Sequence, residues 1–462
     1  MHRLPLSLAF LFLVIAPNVT GQTWRAIPQQ LEGRAFALSA DGNVLVVSEN
    51  FPGELQRYEW KQERWQAVGQ PIVSDSNYGF FYHQYVAIDG RGDRLMAIAT
   101  QTIDSQTVHR VHVFHWRSNK WLYRGVLKES PYVFMGIDFS YDGNTAVVSD
   151  RTNSDSLAFG GVIDVFAWEQ NRWRLKGNRI FGDTKERGLG YSLSVSGDGE
   201  HIVANNNLGS IYAYHWNGQQ WVVDTQLNSF VIFWSQPNKS FDFSFDGRIL
   251  AAGEYSTIST SYDPGSVWVA EQQSNNWSIL GDTINGTSNL AYAGYNTYLN
   301  PAGNQLMISM PGNPEDDQIK QYHWTGNSWQ LAHTVPGDFN NAPLNYPFFA
   351  VNDSMDRLVR FDQSKIATYI LDTLTTVESV QSMPDLQLFP NPATQAVTLS
   401  WEAPGEVTCQ VYDPMGRVQW QRTCHDCRQM TLSTAKWAAG LYPILLQVNG
   451  KTIRKKLLVI QE

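Results

Sequence analysis

Ser140-Tyr141-Asp142-Gly143-Asn144-Thr145-Ala146-Val147-Val148-Ser149 places a short polar turn directly before an apolar, β-branched run. Glycine accepts the positive φ of a tight turn, so an Asp-Gly pair between alternating apolar stretches predicts a β-hairpin. The same turn returns as Ser39-Ala40-Asp41-Gly42, Ser196-Gly197-Asp198-Gly199 and Ser244-Phe245-Asp246-Gly247, with weaker forms at Arg91-Gly92, Ala302-Gly303 and Ser354-Met355. Further along each unit a strand-like stretch ends in Trp-x4-Trp: Trp60/Trp65, Trp116/Trp121, Trp168/Trp173, Trp216/Trp221 and Trp324/Trp329, with Gln272/Trp277 as a degenerate copy. Positions 42, 92, 143, 199, 247, 303 and 355 are separated by 50, 51, 56, 48, 56 and 52 residues, which makes seven units.

Each unit holds four apolar alternating stretches; in the first they fall at about 34–39, 43–48, 55–60 and 64–69. Four antiparallel strands per unit, seven times over, predict an all-β fold: a seven-bladed β-propeller spanning residues 22–378. The seventh unit lacks its Trp-x4-Trp, whereas Trp24-Arg25-Ala26-Ile27 ahead of the first unit matches a fourth strand such as Trp65-Gln66-Ala67-Val68. The N-terminal strand is therefore expected to complete the last blade and tie the two chain ends together. Tryptophans at matching positions on successive blades are expected to pack between blades. His115, His215 and His323 occupy equivalent positions on different blades, so they cannot converge on one ion, and no metal or cofactor is expected.

Of the 462 residues, 13% are aromatic and 17% charged, a strand-rich balance. A net charge of −9 argues against nucleic acid and anionic lipid as partners. Residues 1–21 open with His2 and Arg3, run apolar from Leu6 to Ala16 and end in Val19-Thr20-Gly21, the pattern of a secretory signal peptide cleaved after Gly21. That apolar run is shorter than the ~20 residues that span a bilayer, and no transmembrane segment is expected after cleavage. All three cysteines lie near the C-terminus. Cys424-His425-Asp426-Cys427 could close a small disulfide loop in an exported protein, whereas Cys409 shares strand parity with Val407 and Val411 and reads as a buried thiol.

After a linker at 379–385 the repeat gives way to a different pattern over residues 386–462. It contains Leu388-Phe389-Pro390-Asn391-Pro392-Ala393, Val411-Tyr412-Asp413-Pro414-Met415-Gly416-Arg417, Ala439-Gly440-Leu441-Tyr442, and a basic final stretch with Lys451, Arg454, Lys455 and Lys456. Alternating runs and turns predict a small antiparallel β-sandwich, with Pro443 suggesting an edge strand. In order and spacing these motifs resemble the type A C-terminal sorting domain of the bacterial type IX secretion system. The resemblance rests on Pro390, Asn391, Pro392, Asp413, Gly416, Gly440, Tyr442, Lys455 and Lys456. It implies the type IX machinery as partner, transfer across the outer membrane, and release or surface attachment.

The a–b and c–d turns of the units are short and uniform, whereas the b–c and d–a loops vary in length and content. Variable loops on a rigid frame are where sites are usually built, so the b–c/d–a face is the expected binding face. Its aromatics Tyr82, Trp234 and Tyr295 are the candidate ligand contacts, suited to a glycan or a protein. Arg91-Gly92-Asp93 sits in a repeat turn and is set aside as an adhesion motif. No Gly-x-Ser-x-Gly, HExxH or distinctive carboxylate pair is legible, so no catalytic residue is assigned. The expected role is an exported binding protein; the alternative is an extracellular propeller hydrolase or lyase acting on polysaccharide or peptide.

Overall fold

The computed structural model describes residues 22–460 apart from 34, 49–52, 75–79, 132–135, 184–187, 208, 225–226, 228–237, 256–263, 274–275, 289–290, 312–317, 336–348, 363–364, 374–386, 402–405, 414–417 and 449–450. The expected signal peptide therefore lies outside the described residues. The chain divides into two compact units, Met1–Leu374 and Thr375–Glu462.

The first unit is built from seven antiparallel sheets, each with a four-stranded path, arranged as the blades of a propeller. Blade 3 is representative: Gly136–Phe139, Thr145–Asp150, Val162–Glu169 and Arg172–Leu175 pair in sequence order. In the last blade Phe349–Val351, Arg357–Asp362 and Lys365–Thr373 are joined by Gln22–Glu32, with Trp24 opposite Leu371. Arg25 pairs with Asp372 across 347 residues of sequence.

The a–b turn has two chemical forms. In the Ser-x-Asp-Gly form the Ser39 hydroxyl donates to Asp41 Oδ1 at 2.6 Å and accepts the Val44 N–H at 2.9 Å, while Asp41 takes the Asn43 N–H. Ser140, Ser196 and Ser244 repeat this. Where the sequence signal is weak, a single side chain does both jobs. Asp89 Oδ1 takes the N–H of Asp93 and Arg94, Asn300 Oδ1 those of Asn304 and Gln305, and Asn352 Oδ1 those of Asp356 and Arg357. Met355 adopts a φ of 54° at the position glycine holds elsewhere.

These turns are laced together around the propeller axis. Ala40 N–H donates to Gly90 O, Gly90 N–H to Tyr141 O, Tyr141 N–H to Gly197 O, Asp198 N–H to Phe245 O, Phe245 N–H to Pro301 O, and Asp353 N–H to Ala40 O. Pro301, which stands in blade 6 where Ala40, Gly90, Tyr141 and Phe245 donate from theirs, has no N–H to give.

The tryptophans lie at the seams between blades, with each Trp-x4-Trp pair directly opposed across its hairpin. Trp65 Nε1 donates to Thr368 Oγ1 of blade 7 at 2.8 Å, and Trp329 Nε1 to Leu280 O of blade 5 at 2.9 Å. At four seams a cation from the preceding blade covers the next blade's tryptophan and donates to its turn carbonyl. Arg357 does this over Trp60 and Gly42, Arg57 over Trp116 and Gly92, Arg94 over Trp168 and Gly143, and Lys176 over Trp216 and Gly199. Both contacts favour a charged donor.

The second unit holds two sheets, one of Gln387–Phe389, Ala396–Ser400 and Gln429–Ser433, the other of Val418–His425, Glu406–Tyr412, Gly440–Val448 and Lys451–Val459 in that order. Their core includes Val397, Leu399, Val407, Cys409, Val411, Tyr442 and Leu457. Cys409 is fully buried among them, and burial pushes its thiol up to about 12. The edge position expected from Pro443 is corrected: Gly440–Val448 is paired on both sides. Proline is tolerated because the ladder to Glu406–Tyr412 stops at Ile444, one residue short of it.

Candidate functional site

The turn girdle surrounds the mouth of an axial cavity of about 220 Å³. Its wall is set by the inner strand of each blade. Two residues ahead of each turn stand Ala37, Ala87, Asp138, Ser194, Asp242, Tyr298 and Ala350. Alternation turns one residue in two of a strand to one face, and Asp138, Asp242 and Tyr298 line the cavity. Blades 1, 2 and 7 carry alanine at this position and line the cavity instead from the next residue on, with Leu38, Ile88 and Val351.

The polar members also stitch blades together. Asp138 accepts the Phe139 N–H at 2.8 Å and, across the seam, the Val195 N–H at 2.9 Å, with the Ser194 hydroxyl as a further donor. Asp242 repeats the geometry, accepting from Phe243 at 2.9 Å and from Leu299 at 2.7 Å. Tyr298 donates its hydroxyl to Phe349 O at 2.8 Å. Burial pushes Asp138 up to about 6, and burial reinforced by Asp138 pushes Asp242 up to about 8. Desolvation disfavours the ionised carboxylate more than the backbone donors favour it.

Around the mouth stand Asp89 and Asp353, both raised by burial to about 6, together with Tyr141, Phe245 and Pro301. Tyr141 and Phe245 meet edge to face at 5.8 Å, and Phe245 is 43% exposed. The described lining carries four carboxyl groups and no Lys, Arg or His side chain. Among the described residues no group of three or more His, Cys, Asp or Glu is placed to hold a metal ion.

This cavity opens among the Asp-Gly turns, the end that the sequence marks as uniform scaffold. Of the three aromatics expected to bind ligand, Tyr82 lies within the strand Phe80–Ile88 rather than beyond it, and Trp234 lies outside the described residues. Tyr295 is corrected from an exposed contact to a core residue: it is 7% exposed, with its ring 4.7 Å from that of Tyr255. Its register next to Thr297–Leu299 turns it inward rather than onto a rim. Asp138 and Asp242 were missed although a signal exists. Asp138-Phe139-Ser140 and Asp242-Phe243-Ser244 put a carboxylate at a repeat position where other blades carry Ala, Ser or Tyr.

In the second unit Asn391 Oδ1 accepts the Leu458 N–H at 2.8 Å, pinning the Pro390-Asn391-Pro392 entry to the final strand. Tyr442 is buried and donates its hydroxyl to Ala438 O at 2.9 Å, Asp413 is buried, and Lys455 is exposed. Gly440 opens its strand, Lys456 stands opposite Pro443, and Gly416 lies outside the described residues. Cys424 and Cys427 are joined as a disulfide, with their Cα atoms 6.1 Å apart.

Residues 387–461 match the family model described as a secretion system C-terminal sorting domain. They form a type IX secretion sorting domain. A protein carrying the type IX sorting domain is exported by that route and is secreted or attached to the bacterial cell surface, and the domain engages the type IX machinery. Among solved structures the chain is similar to one titled "Crystal Structure of Mitotic Checkpoint Complex", at 11% identity and a TM-score of 0.48 over 80% of this chain and 97% of that one. It is also similar to a functionally unknown protein from Desulfotomaculum acetoxidans DSM 771, at 15% identity and a TM-score of 0.45 over 68% and 87%. No curated protein matches the chain. Among the described residues no helix is long and apolar enough to cross a membrane.

Proposed function

We propose that residues 1–21 are removed on export and that the propeller then acts outside the cell as a non-enzymatic binding module for a glycan or protein. The observation that carries this reading is the way the axial carboxyls are held. Asp138 and Asp242 each accept two backbone N–H groups, one from their own strand and one from the next blade. Such fixed acceptors suit a rigid recognition surface better than a proton shuttle, which must exchange partners during a reaction. The raised Asp138 and Asp242 favour the hydrolase as second reading, since carboxyls in that range can serve as general acids.

The test uses the mature protein on a glycan array and in pull-downs of surface proteins, beside chromogenic glycoside and peptide substrates. Saturable binding without turnover supports the module. Turnover abolished by Asp242→Asn, in a variant that keeps its melting temperature, establishes the hydrolase instead.

A further inference from the structure

We propose that the axial cavity takes an organic cation, an ammonium or guanidinium group carried on a short aliphatic stem. This rests on the binding-module reading and names the chemistry of its ligand.

Size comes first. At about 220 Å³ the cavity is smaller than the ~300–1,000 Å³ of sites that enclose whole small molecules, so it fits one side-chain-sized group of a larger ligand. Charge comes second. Asp138 and Asp242 line the wall and Asp89 and Asp353 the mouth, and no cationic side chain appears in the described lining. The resulting field reaches neutral groups as well: after burial, Asp242 and Asp138 push the Tyr298 phenol up, and Asp353 and Asp41 do the same for Tyr141. A cation at the axis would favour the ionised form of the carboxyls that burial keeps protonated, so its binding and their ionisation reinforce each other in surroundings that screen less than water.

Shape comes third. Tyr141 and Phe245 stand edge to face at the entrance, and Phe245 keeps 43% of its surface exposed where neighbouring blades carry Gly197 and Pro301. Aromatic faces beside a carboxylate well attract ammonium and guanidinium groups through the ring quadrupole. The turn girdle makes the entrance rigid, so little ordering is required on binding.

Calorimetric or NMR titration of the full mature protein with n-butylammonium, n-butylguanidinium and glucosamine, each beside its neutral counterpart N-butylacetamide, n-butanol or N-acetylglucosamine, decides the point. The expected result is at least tenfold tighter binding of a cation than of its neutral partner. Phe245→Ser and Asp353→Asn should each reduce it at least threefold, and Asp242→Asn at least tenfold. The Asp353 and Phe245 side chains make no hydrogen bond that holds a blade, so their variants report on the site even where Asp242→Asn impairs folding. Preference for the alkyl cations points to a lysine- or arginine-bearing protein, and preference for glucosamine to an amino sugar. Equal binding of charged and neutral probes, no binding, or cation binding unchanged by all three substitutions overturns the proposal. If the protein still captures a glycan or protein in those cases, the binding module stands and its site lies elsewhere.

Discussion

The Arg57 guanidinium lies 4.5 Å from the centre of the Trp116 ring and donates to the Gly92 carbonyl, so one side chain of blade 1 grips both a wall and a turn of blade 2. Arg57 is 4% exposed. Replacing it with alanine removes a charged hydrogen bond and a desolvated cation–π contact, a loss of about 3 kcal/mol. Arg57→Lys should recover more than half, because Lys176 fills the same role one seam from Arg94. Urea denaturation of the two variants checks both values.

Gly69 follows the outer strand of blade 1 with a φ of 72°, and a Cβ there would stand 2.4 Å from the Trp116 ring. Gly218 has a φ of 93° with nothing within 4 Å of the corresponding position. Gly218→Ala should cost only the left-handed strain, about 1 kcal/mol. Gly69→Ala adds displacement of a seam tryptophan and should cost about 3 kcal/mol. Equal losses in a melting comparison would refute the contact.

Asp138 and Asp242 hold their protons more tightly when folded than when unfolded, where an aspartate titrates near about 3.9. Their ionised forms carry the burial penalty, so stability is fullest in acid and falls as pH rises through about 6 and then about 8. The melting temperature should therefore decline from pH 5 to 8.5. Asp242→Asn should be less stable at pH 5, having lost an acceptor for Leu299, yet flatter between pH 7 and 8.5. An unchanged slope would count against titration of Asp242.

Thiol counting separates the cysteines. Unfolded without reductant, the protein should expose one thiol, Cys409; after reduction it should expose three. The folded protein should react slowly, since a buried thiol pushed up to about 12 offers little thiolate. Titration with a chromogenic disulfide reagent distinguishes these states.

The blade count was legible because seven turns and six hairpins carry a local signature at nearly constant spacing. The weak turns were legible only by register, since Asp89, Asn300 and Asn352 replace serine-aspartate cooperation by a different side-chain chemistry. The seam cations were not legible. Arg94 and Arg357 share a repeat position at the start of second strands, but Arg57 lies in a third strand and Lys176 follows a fourth, so the same contact is built from three different repeat positions. The cavity was hidden for a related reason: Asp138 and Asp242 meet only when the ring closes, and uniform turn lengths say nothing of what the strand beneath them carries. Tyr295 shows the reverse error, because aromatic content in a loop-like stretch does not reveal which rings fold inward.

Gln22 opens the strand that closes the ring and stands opposite Thr373, the last described residue before the chain passes to the sorting domain. The expected leader cleavage site and the departure toward the C-terminal sorting domain thus share one strand pair at the outer edge of blade 7. A tag joined at Gln22 would enter directly opposite Thr373, whereas the outer strands of the other six blades include neither residue. The ring has a single service entrance, and labels or tethers belong on the opposite side of it.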